Sequence, residues 1–163
     1  TAKSEFQAVI LRDCAHEAIS LLSLQKDKQQ VIFINEIAQN AIVAGDTQRM
    51  IQVFINLLSN ARDASPENGH VLLASHEDEY SIDITVTDEG SGIPPDIQDR
   101  ILEPFFTTKE PGEGTGLGLA MVYSIVEDHG GMLDIVSPVD TLRNRGAQFI
   151  VKLPRHVDSL VDI

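Results

Sequence analysis

Apolar residues recur every three or four positions in three stretches of the chain, a spacing typical of helices with one buried face. The first helix is predicted to have Asp13 as its N-terminal cap, and the second to have Asp46 or Thr47. The third covers residues 115–129 and ends at two glycines, with His129 expected to be exposed near that end. The predicted inward positions are Ala15, Ala18, Ile19, Leu22, Val53, Phe54, Leu57, Leu58, Ala61, Leu119, Val122, Ile125 and Val126.

Between these helices, β-branched and aromatic residues or alternating apolar and polar residues predict strands. The predicted strands cover residues 6–11, 30–34, 41–43, 70–76, 81–87, 132–137 and 147–153. Turn residues at 77–79 predict a hairpin, a longer connection at 138–145 predicts a second one, and a short helix is expected at 94–102. The element order predicts an α/β two-layer sandwich, in which a mixed, mostly antiparallel sheet is covered on one face by three main helices.

Length and charge limit the classes of partner. The 163 residues suit one domain with a sizeable core. A formal net charge of −13 argues against nucleic acid or an anionic membrane surface as a general partner. The single cysteine, Cys14, excludes an internal disulfide and is predicted to be a core residue. No apolar run has membrane-spanning length, and a reducing cytoplasm fits the cysteine usage.

The candidate chemistry is concentrated between residues 88 and 119. Asp88 follows a predicted strand, and a carboxylate there can accept a hydrogen bond from an exocyclic amine, which distinguishes adenine from guanine. Gly90 and Gly92 allow the backbone to approach a flat ring closely. Further glycines at 112–118 precede the third helix, where free backbone N–H groups and the helix N-terminus suit a polyphosphate.

Two asparagines on the second helix form another candidate site. Asn56 and Asn60 are four residues apart, so they lie one above the other on the helix. Asparagine is a mediocre helix former, so the presence of two on one stripe of a helix needs an explanation. One interpretation is an exposed polar face; the other is a side-chain carbonyl turned toward Mg²⁺ beside phosphate oxygens and water.

These segments together resemble the ATP-binding catalytic domain of sensor histidine kinases, within the GHKL superfamily of gyrase, heat-shock chaperone, histidine kinase and mismatch-repair ATPases, which share the Bergerat fold. Residues 56–61 resemble the N box and 88–92 the G1 box. Residues 104–109 resemble the F box, 114–119 the G2 box and 145–149 the closing strand. The match covers nearly the whole chain, and the short lid resembles that of nitrogen-regulator and oxygen-sensor kinases.

The resemblance implies ATP and Mg²⁺ as cofactors and gives roles to individual residues. Asn60 is implied to coordinate Mg²⁺, Asn56 to lie beside the same metal–phosphate region, and Asp88 to bind the adenine amino group. Asn56 and Lys109 are the candidate catalytic residues. Many histidine kinases have a basic residue where this chain has Asp63, which puts that phosphate contact in question. The implied nucleotide-binding residues are Asn60, Asp63, Asp88, Gly90, Gly92, Ile93, Phe105, Thr107, Thr108, Lys109, Gly114, Thr115, Gly116, Leu117, Gly118 and Leu119.

The implied reaction transfers the γ-phosphate of ATP to a histidine imidazole. His16-Glu17 lacks the basic or polar residue and the proline that follow in the family motif, so His16 is expected to be a solvated helix residue. The acceptor is therefore expected on a dimerisation domain of the same parent kinase, with a response regulator receiver domain downstream. Residues 1–153 are expected to form the catalytic domain and 154–163 a tail or linker. No direct membrane contact of this segment is expected, even if the parent protein is membrane-anchored.

Three alternatives share parts of this pattern. A serine kinase that regulates a sigma factor has the same fold, although the Phe-Phe-Thr-Thr-Lys segment favours a histidine kinase. A gyrase-like or chaperone ATPase usually has glutamate at the position of Asn56 to activate water, and asparagine cannot accept a proton. A non-catalytic nucleotide-binding module belongs to a different functional class, and a phosphotransfer assay distinguishes it from a kinase.

Overall fold

The computed structural model describes residues 6–98, 100 and 118–155. Within these ranges the chain forms four helices and seven strands. The helices are α1 Leu11–Ser23, α2 Thr47–Ala64, α3 Pro95–Gln98 and α4 Gly118–Asp128. The strands are β1 Gln7–Ile10, β2 Ile32–Glu36, β3 Ile42–Gly45, β4 His70–Glu77, β5 Ser81–Thr87, β6 Met132–Val136 and β7 Gln148–Pro154.

Five strands form the main sheet in the order β2-β4-β5-β7-β6. Strands β2 and β4 are parallel, and the other neighbouring pairs are antiparallel, which confirms the predicted mixed and mostly antiparallel sheet. The predicted hairpin between β4 and β5 is present, with Leu72 opposite Thr87. Strands β1 and β3 pair antiparallel in a separate two-stranded sheet.

The core lies between one face of the main sheet and the three long helices. Helix α2 packs against both α1 and α4. Alternate residues of the central strands are buried toward these helices, as the two-layer prediction requires. These residues are Val71, Leu73, Ile82, Ile84, Val86, Phe149, Val151 and Leu153. None of the helices in the described ranges combines the length and the apolar character needed to cross a bilayer.

Cys14 is part of this core, as predicted. Its side chain is buried on α1. Burial, with a smaller contribution from the charge of Asp13, raises the pKa of the thiol to about 11. Because the thiolate is the reactive form, Cys14 is a packing residue at neutral pH.

The beginnings of α1 and α2 differ in how their backbone N–H groups are satisfied. The prediction that Asp13 caps α1 was wrong, because the helix already begins at Leu11 and Asp13 lies in its first turn. The Leu11 N–H donates to the carbonyl oxygen of Ala41 at 3.1 Å, so the residue just before β3 supplies an acceptor at this end. At α2 the predicted cap is confirmed, since the Asp46 carboxylate accepts a hydrogen bond from the Arg49 N–H at 3.1 Å.

His129 was predicted to be exposed, and this was wrong: only 6% of its surface is accessible. Its Nδ1–H donates to the carbonyl oxygen of Ile125 at 2.7 Å, and its Nε2 accepts from the Asp46 N–H at 3.0 Å. The ring also stacks on Phe6, with ring centroids 4.7 Å apart. A Cβ on Gly45 would lie 2.6 Å from this ring. The end of α4 therefore meets the start of α2 instead of solvent.

The C-terminal end of the main sheet continues one residue beyond the predicted domain boundary. Strand β7 includes Pro154, which lies opposite Ser81. The Arg155 N–H then donates to the carbonyl oxygen of Tyr80 at 2.9 Å. The division into a domain at 1–153 and a tail at 154–163 stays a prediction.

Candidate functional site

Asp88 lies just after β5 and is the buried carboxylate of the candidate site. Its exposed fraction is 5%. Its Oδ1 accepts hydrogen bonds from the N–H groups of Gly90 at 2.8 Å and Ala147 at 3.2 Å. Burial raises the pKa of this carboxyl, while the two N–H donors partly oppose the shift. Both of these hydrogen bonds end on Oδ1, which orients the carboxylate, and Oδ2 accepts no hydrogen bond from the residues that the structure describes.

The loop after Asp88 is held against the beginning of β7 by backbone contacts. The Asp88 N–H donates to the carbonyl oxygen of Ala147 at 2.9 Å, and the Gly146 N–H donates to that of Gly90 at 2.7 Å. A Cβ on Gly90 would lie 2.3 Å from the carbonyl oxygen of Ala64. Gly90 thus allows the loop to lie directly on the end of α2, a reason for glycine that the sequence did not suggest.

Two further side chains organise this loop, and the sequence analysis did not identify either. The Ser137 hydroxyl accepts from the Ile93 N–H at 2.7 Å and donates to the carbonyl oxygen of Gly146 at 3.2 Å. Gln98 on α3 donates to the carbonyl oxygens of Ile93 at 2.9 Å and Ser137 at 3.3 Å. Ser137 and Ile93 are 44 residues apart, so no local pattern connects them.

The two asparagines of α2 have different environments, although both are half-buried. The Asn56 Nδ2–H donates to the carbonyl oxygen of Gly118 at 3.2 Å, where the described part of α4 begins. Asn56 Oδ1 accepts from Gln52 at 2.9 Å. Within the described ranges, the Asn60 side chain makes no hydrogen bond. Asn56 therefore connects α2 to α4, whereas the Asn60 amide makes no such connection within the described ranges.

Asp63 and its neighbour Arg62 do not bring a cation to the site. The Arg62 side chain is buried, and its Nη1 donates to Gln25 Oε1 at 2.8 Å, beyond the end of α1. Its Nε lies 3.5 Å from Asp63 Oδ1. Arg62 is therefore directed into the contact between α2 and the segment that follows α1. Any positive charge for a phosphate must come from another part of the chain or from a metal ion.

Several predicted site residues lie outside the described residues. They are Phe105, Thr107, Thr108, Lys109, Gly114, Thr115, Gly116 and Leu117. Of the remaining ones, Gly118 and Leu119 begin the described part of α4, and Ile93 packs half-buried against the core. No group of three His, Cys, Asp or Glu side chains suited to a metal occurs in the described part of the chain. A Mg²⁺ ion held mainly by phosphate and water needs no such group.

The contacts among the described residues place the parts of the candidate site one after another along α2. The loop with Asp88 lies on Ala64 at the end of the helix, through Gly90. Asn60 precedes Ala64 by four residues, or about 6 Å along the helix axis, and Asn56 by about twice that distance. A recessed carboxylate and a row of amides thus lie along one helix. The arrangement suits an elongated ligand with an amine-bearing ring at one end and anionic groups at the other.

Sequence comparison finds a family match over most of the chain. Residues 45–157 match the family described as histidine kinase-, DNA gyrase B-, and HSP90-like ATPase. Sporulation kinase A of Bacillus subtilis (strain 168) is 38% identical over 146 residues, covering 89% of this chain and 23% of the relative. The chain thus spans about a quarter of the length of that curated relative.

Solved structures agree with this match. The catalytic domain of histidine kinase ThkA is 32% identical, with a TM-score of 0.78, and the likeness covers 93% of this chain and 98% of that one. A second structure contains ThkA in complex with response regulator protein TrrA. There the identity is 29% and the TM-score 0.75, over 93% of this chain and 42% of that one. The two-layer fold is therefore that of histidine kinase catalytic domains.

Proposed function

The chain belongs to the family of histidine kinase-, DNA gyrase B- and HSP90-like ATPases, and we propose a phosphotransfer reaction for it. It is an ATP-binding domain of the histidine kinase type. In the proposed reaction it transfers the γ-phosphate of ATP to a histidine on a separate dimerisation domain of its parent protein. The observation that carries the nucleotide assignment is the orientation of Asp88. Its buried carboxylate has one oxygen fixed by two backbone N–H groups, and the other has no partner among the described residues and is proposed to face the ligand.

The Asp88 end of the site is the proposed adenine pocket. Oδ2 of Asp88 accepts a hydrogen bond from the exocyclic amine of adenine, and guanine has a carbonyl oxygen at that position. Two acceptors facing each other in a buried pocket are unfavourable, which gives the preference for adenine. Gly90, Gly92 and Ile93 form the adjacent loop and limit the space beside the ring.

The amide end of the site is the proposed metal and phosphate region. An amide oxygen is a hard ligand of the kind that Mg²⁺ accepts, and the half-buried Asn60 side chain, which has no partner among the described residues, fits that requirement. When bound, Mg²⁺ would neutralise negative charge on the phosphates. The glycine-rich segment before α4 would bind phosphate oxygens through backbone N–H groups. Asp63, Thr107, Thr108 and Lys109 are proposed to act in the same region, with Lys109 as a point charge for the terminal phosphate.

The proposed acceptor histidine is not His16. His16 is exposed on α1, whereas the candidate site lies where α2 meets α4 and the end of β5. Proximity to the γ-phosphate is the main contribution that such a domain makes to phosphoryl transfer. We therefore place the acceptor on dimerisation helices of the parent kinase and a response regulator downstream, with the reaction in the cytoplasm. Residues 1–153 would act as the catalytic unit.

Labelling with γ-³²P-ATP tests this proposal. The chain alone should bind ATP but incorporate no label on histidine, because no imidazole is held in line with the γ-phosphate. Adding the dimerisation helices of the parent protein should produce slow labelling of those helices that is acid-labile and base-stable, as a phosphoramidate is. Efficient labelling of the chain alone, abolished by His16→Ala, would make His16 the acceptor. ATP binding without labelling in either mixture would indicate a non-catalytic nucleotide-binding module.

A further inference from the structure

Two segments fix the orientation of Asp88, and they come from distant parts of the sequence. One is the loop at residues 88–93, which supplies the Gly90 N–H to Oδ1. The other is the start of β7, which supplies the Ala147 N–H to the same oxygen. The direction of the remaining oxygen, Oδ2, thus depends on the spacing between these two segments.

The Ser137 hydroxyl connects the two segments at the end of β6. It accepts from the Ile93 N–H of the loop at 2.7 Å and donates to the carbonyl oxygen of Gly146, next to Ala147, at 3.2 Å. Because a carbonyl oxygen only accepts and a backbone N–H only donates, the direction of both hydrogen bonds is determined. Only a side chain with both a donor and an acceptor on one atom makes this pair of contacts.

The space around the hydroxyl allows little variation. A Cβ on Gly92 would lie 2.9 Å from Ser137 Oγ, so the loop passes directly over the hydroxyl. Gly92 and Gly146 both have positive φ, at +84° and +85°. Both backbones therefore adopt conformations that are costly for other residues and bring the chain close to Ser137. Gln98 adds a second connection from α3, through the carbonyl oxygens of Ile93 and Ser137.

We propose that Ser137 is a positioning residue that sets the preference of the pocket for a 6-amino purine, by keeping Gly90 and Ala147 at the spacing that orients Asp88. The proposal rests on the proposed function, in which Asp88 binds the adenine amine. Without the hydroxyl, the Ile93 N–H and the Gly146 carbonyl lose their shared partner, and the loop shifts relative to β7. Asp88 keeps its charge, but Oδ2 no longer points steadily at the amine.

The test compares two nucleotides that differ only in this amine, ATP and purine riboside triphosphate, by calorimetry with Mg²⁺. Wild type should prefer ATP by about tenfold to a hundredfold, the usual value of a hydrogen bond to a charged group. Ser137→Ala should reduce this ratio by about three- to tenfold. Ser137→Thr retains a hydroxyl and should retain the ratio. Gln98→Ala, a milder change to the same network, should reduce it less.

The ratio distinguishes positioning from general loss of stability, because a smaller folded fraction weakens the binding of both nucleotides equally. Ser75→Ala is the matched control, since the Ser75 hydroxyl also accepts from a backbone N–H, that of Ala38 at 2.9 Å, away from the pocket. Its ratio should equal that of wild type.

Several results would overturn the assignment of Ser137. One is an unchanged ratio in Ser137→Ala, which includes a loss of affinity for both nucleotides by the same factor. Another is a ratio lowered equally in Ser75→Ala. A wild type that binds both nucleotides equally would instead contradict the role of Asp88 in the proposed function, so the two failures are distinguishable.

Discussion

The two ends of the candidate site contrast in how their polar groups are held. At the end of β5, the Asp88 carboxylate is 5% exposed and receives two backbone N–H donors, and the loop that supplies one of them is connected to β7 and β6. On α2, Asn56 and Asn60 are half-buried, and only Asn56 has hydrogen bonds among the residues that the structure describes. The proposed base-recognition end thus has a preorganised acceptor, whereas the Asn60 amide has no such fixed contact among the described residues.

This difference has a physical reason. A buried carboxylate without partners would be costly, so the fold must satisfy and orient it before any ligand arrives. A half-buried amide keeps contact with water and carries no such cost. A metal ion with phosphate ligands completes its shell with water and few protein atoms, so this end needs fewer fixed contacts. The adenine end is therefore expected to be sensitive to small changes of geometry, and the amide end to the identity of the ligand.

The largest predicted effect is a loss of stability on replacing one glycine at the Asp88 end of the site, compared with one glycine at the amide end. Gly90→Ala should destabilise the fold by about 3 kcal/mol, because its Cβ would lie 2.3 Å from the carbonyl oxygen of Ala64, a backbone atom that cannot rotate away. Gly118→Ala is the matched control, since the nearest atom to its Cβ is Asn56 Cγ at 3.9 Å, an ordinary contact. Urea unfolding of both variants measures the difference. Equal stability of the two variants would remove this contrast between the ends.

Removing the carboxylate should have the next largest effect. Asp88→Ala should reduce ATP affinity by about 1.5–3 kcal/mol, or roughly tenfold to a hundredfold, since a hydrogen bond to a charged group is lost inside a pocket. The affinity for GTP should change little, so the preference between the two nucleotides should nearly disappear. Titration of both proteins with both nucleotides measures this. Unchanged ATP affinity in Asp88→Ala would refute the assignment of Asp88 to adenine.

The distance along the chain between interacting residues explains which features of the two ends the sequence predicted. Local patterns were sufficient for the buried face of α2, its Asp46 cap and the β4–β5 hairpin, because each depends on residues close in sequence. Asp88 was predicted as a candidate because it directly follows a strand and precedes a Gly-x-Gly segment, and the structure places it, buried, at the end of β5. Ser137 was missed because its partners, Ile93 and Gly146, adjoin it only in the folded sheet.

The two wrong predictions have the same origin. Asp13 has the residue type of a cap, but the N-cap position of α1 is Ile10, three residues earlier, where Ala41 from another part of the chain accepts the Leu11 N–H. His129 was placed in solvent because helix ends usually are exposed, whereas here β3 and α2 cover it. Tertiary contacts thus decided both cases, and a pattern within one segment contains no information about them.

At the amide end, Asn60→Ala should weaken binding by about 1 kcal/mol, and only when Mg²⁺ is present. The proposed contact is between the side-chain oxygen and the metal ion, so ATP in the presence of a chelator should bind both proteins alike. Calorimetry with Mg²⁺ and with a chelator makes the comparison. Asn56→Ala is the informative partner variant, because its amide contacts Gly118 and should affect both conditions equally. An identical loss for Asn60→Ala in both conditions would make it a packing residue.

The smallest predicted effect is that of the Asp88 charge on the stability of the folded protein. Burial raises the pKa of the Asp88 carboxyl in the folded protein. The folded state therefore binds this proton more tightly than the unfolded state does. The resulting stabilisation is fully present below the pKa of the unfolded chain and is lost as pH rises through the pKa of the folded protein. At neutral pH the ionised carboxylate therefore opposes folding. Asp88→Asn keeps an oxygen for the Gly90 and Ala147 N–H groups without the charge.

Asp88→Asn should therefore be slightly more stable than wild type at neutral pH, by less than about 1 kcal/mol, while binding ATP more weakly. The gain should shrink as pH falls toward the ordinary carboxyl pKa of 3.8, because wild type then becomes neutral at this position as well. Denaturant unfolding of both proteins across this pH range measures the difference. A variant less stable than wild type at neutral pH would mean that the two N–H donors outweigh the cost of burial. The ionised Asp88 carboxylate would then stabilise the folded protein, and orienting this charge for a ligand would carry no cost in the free energy of unfolding.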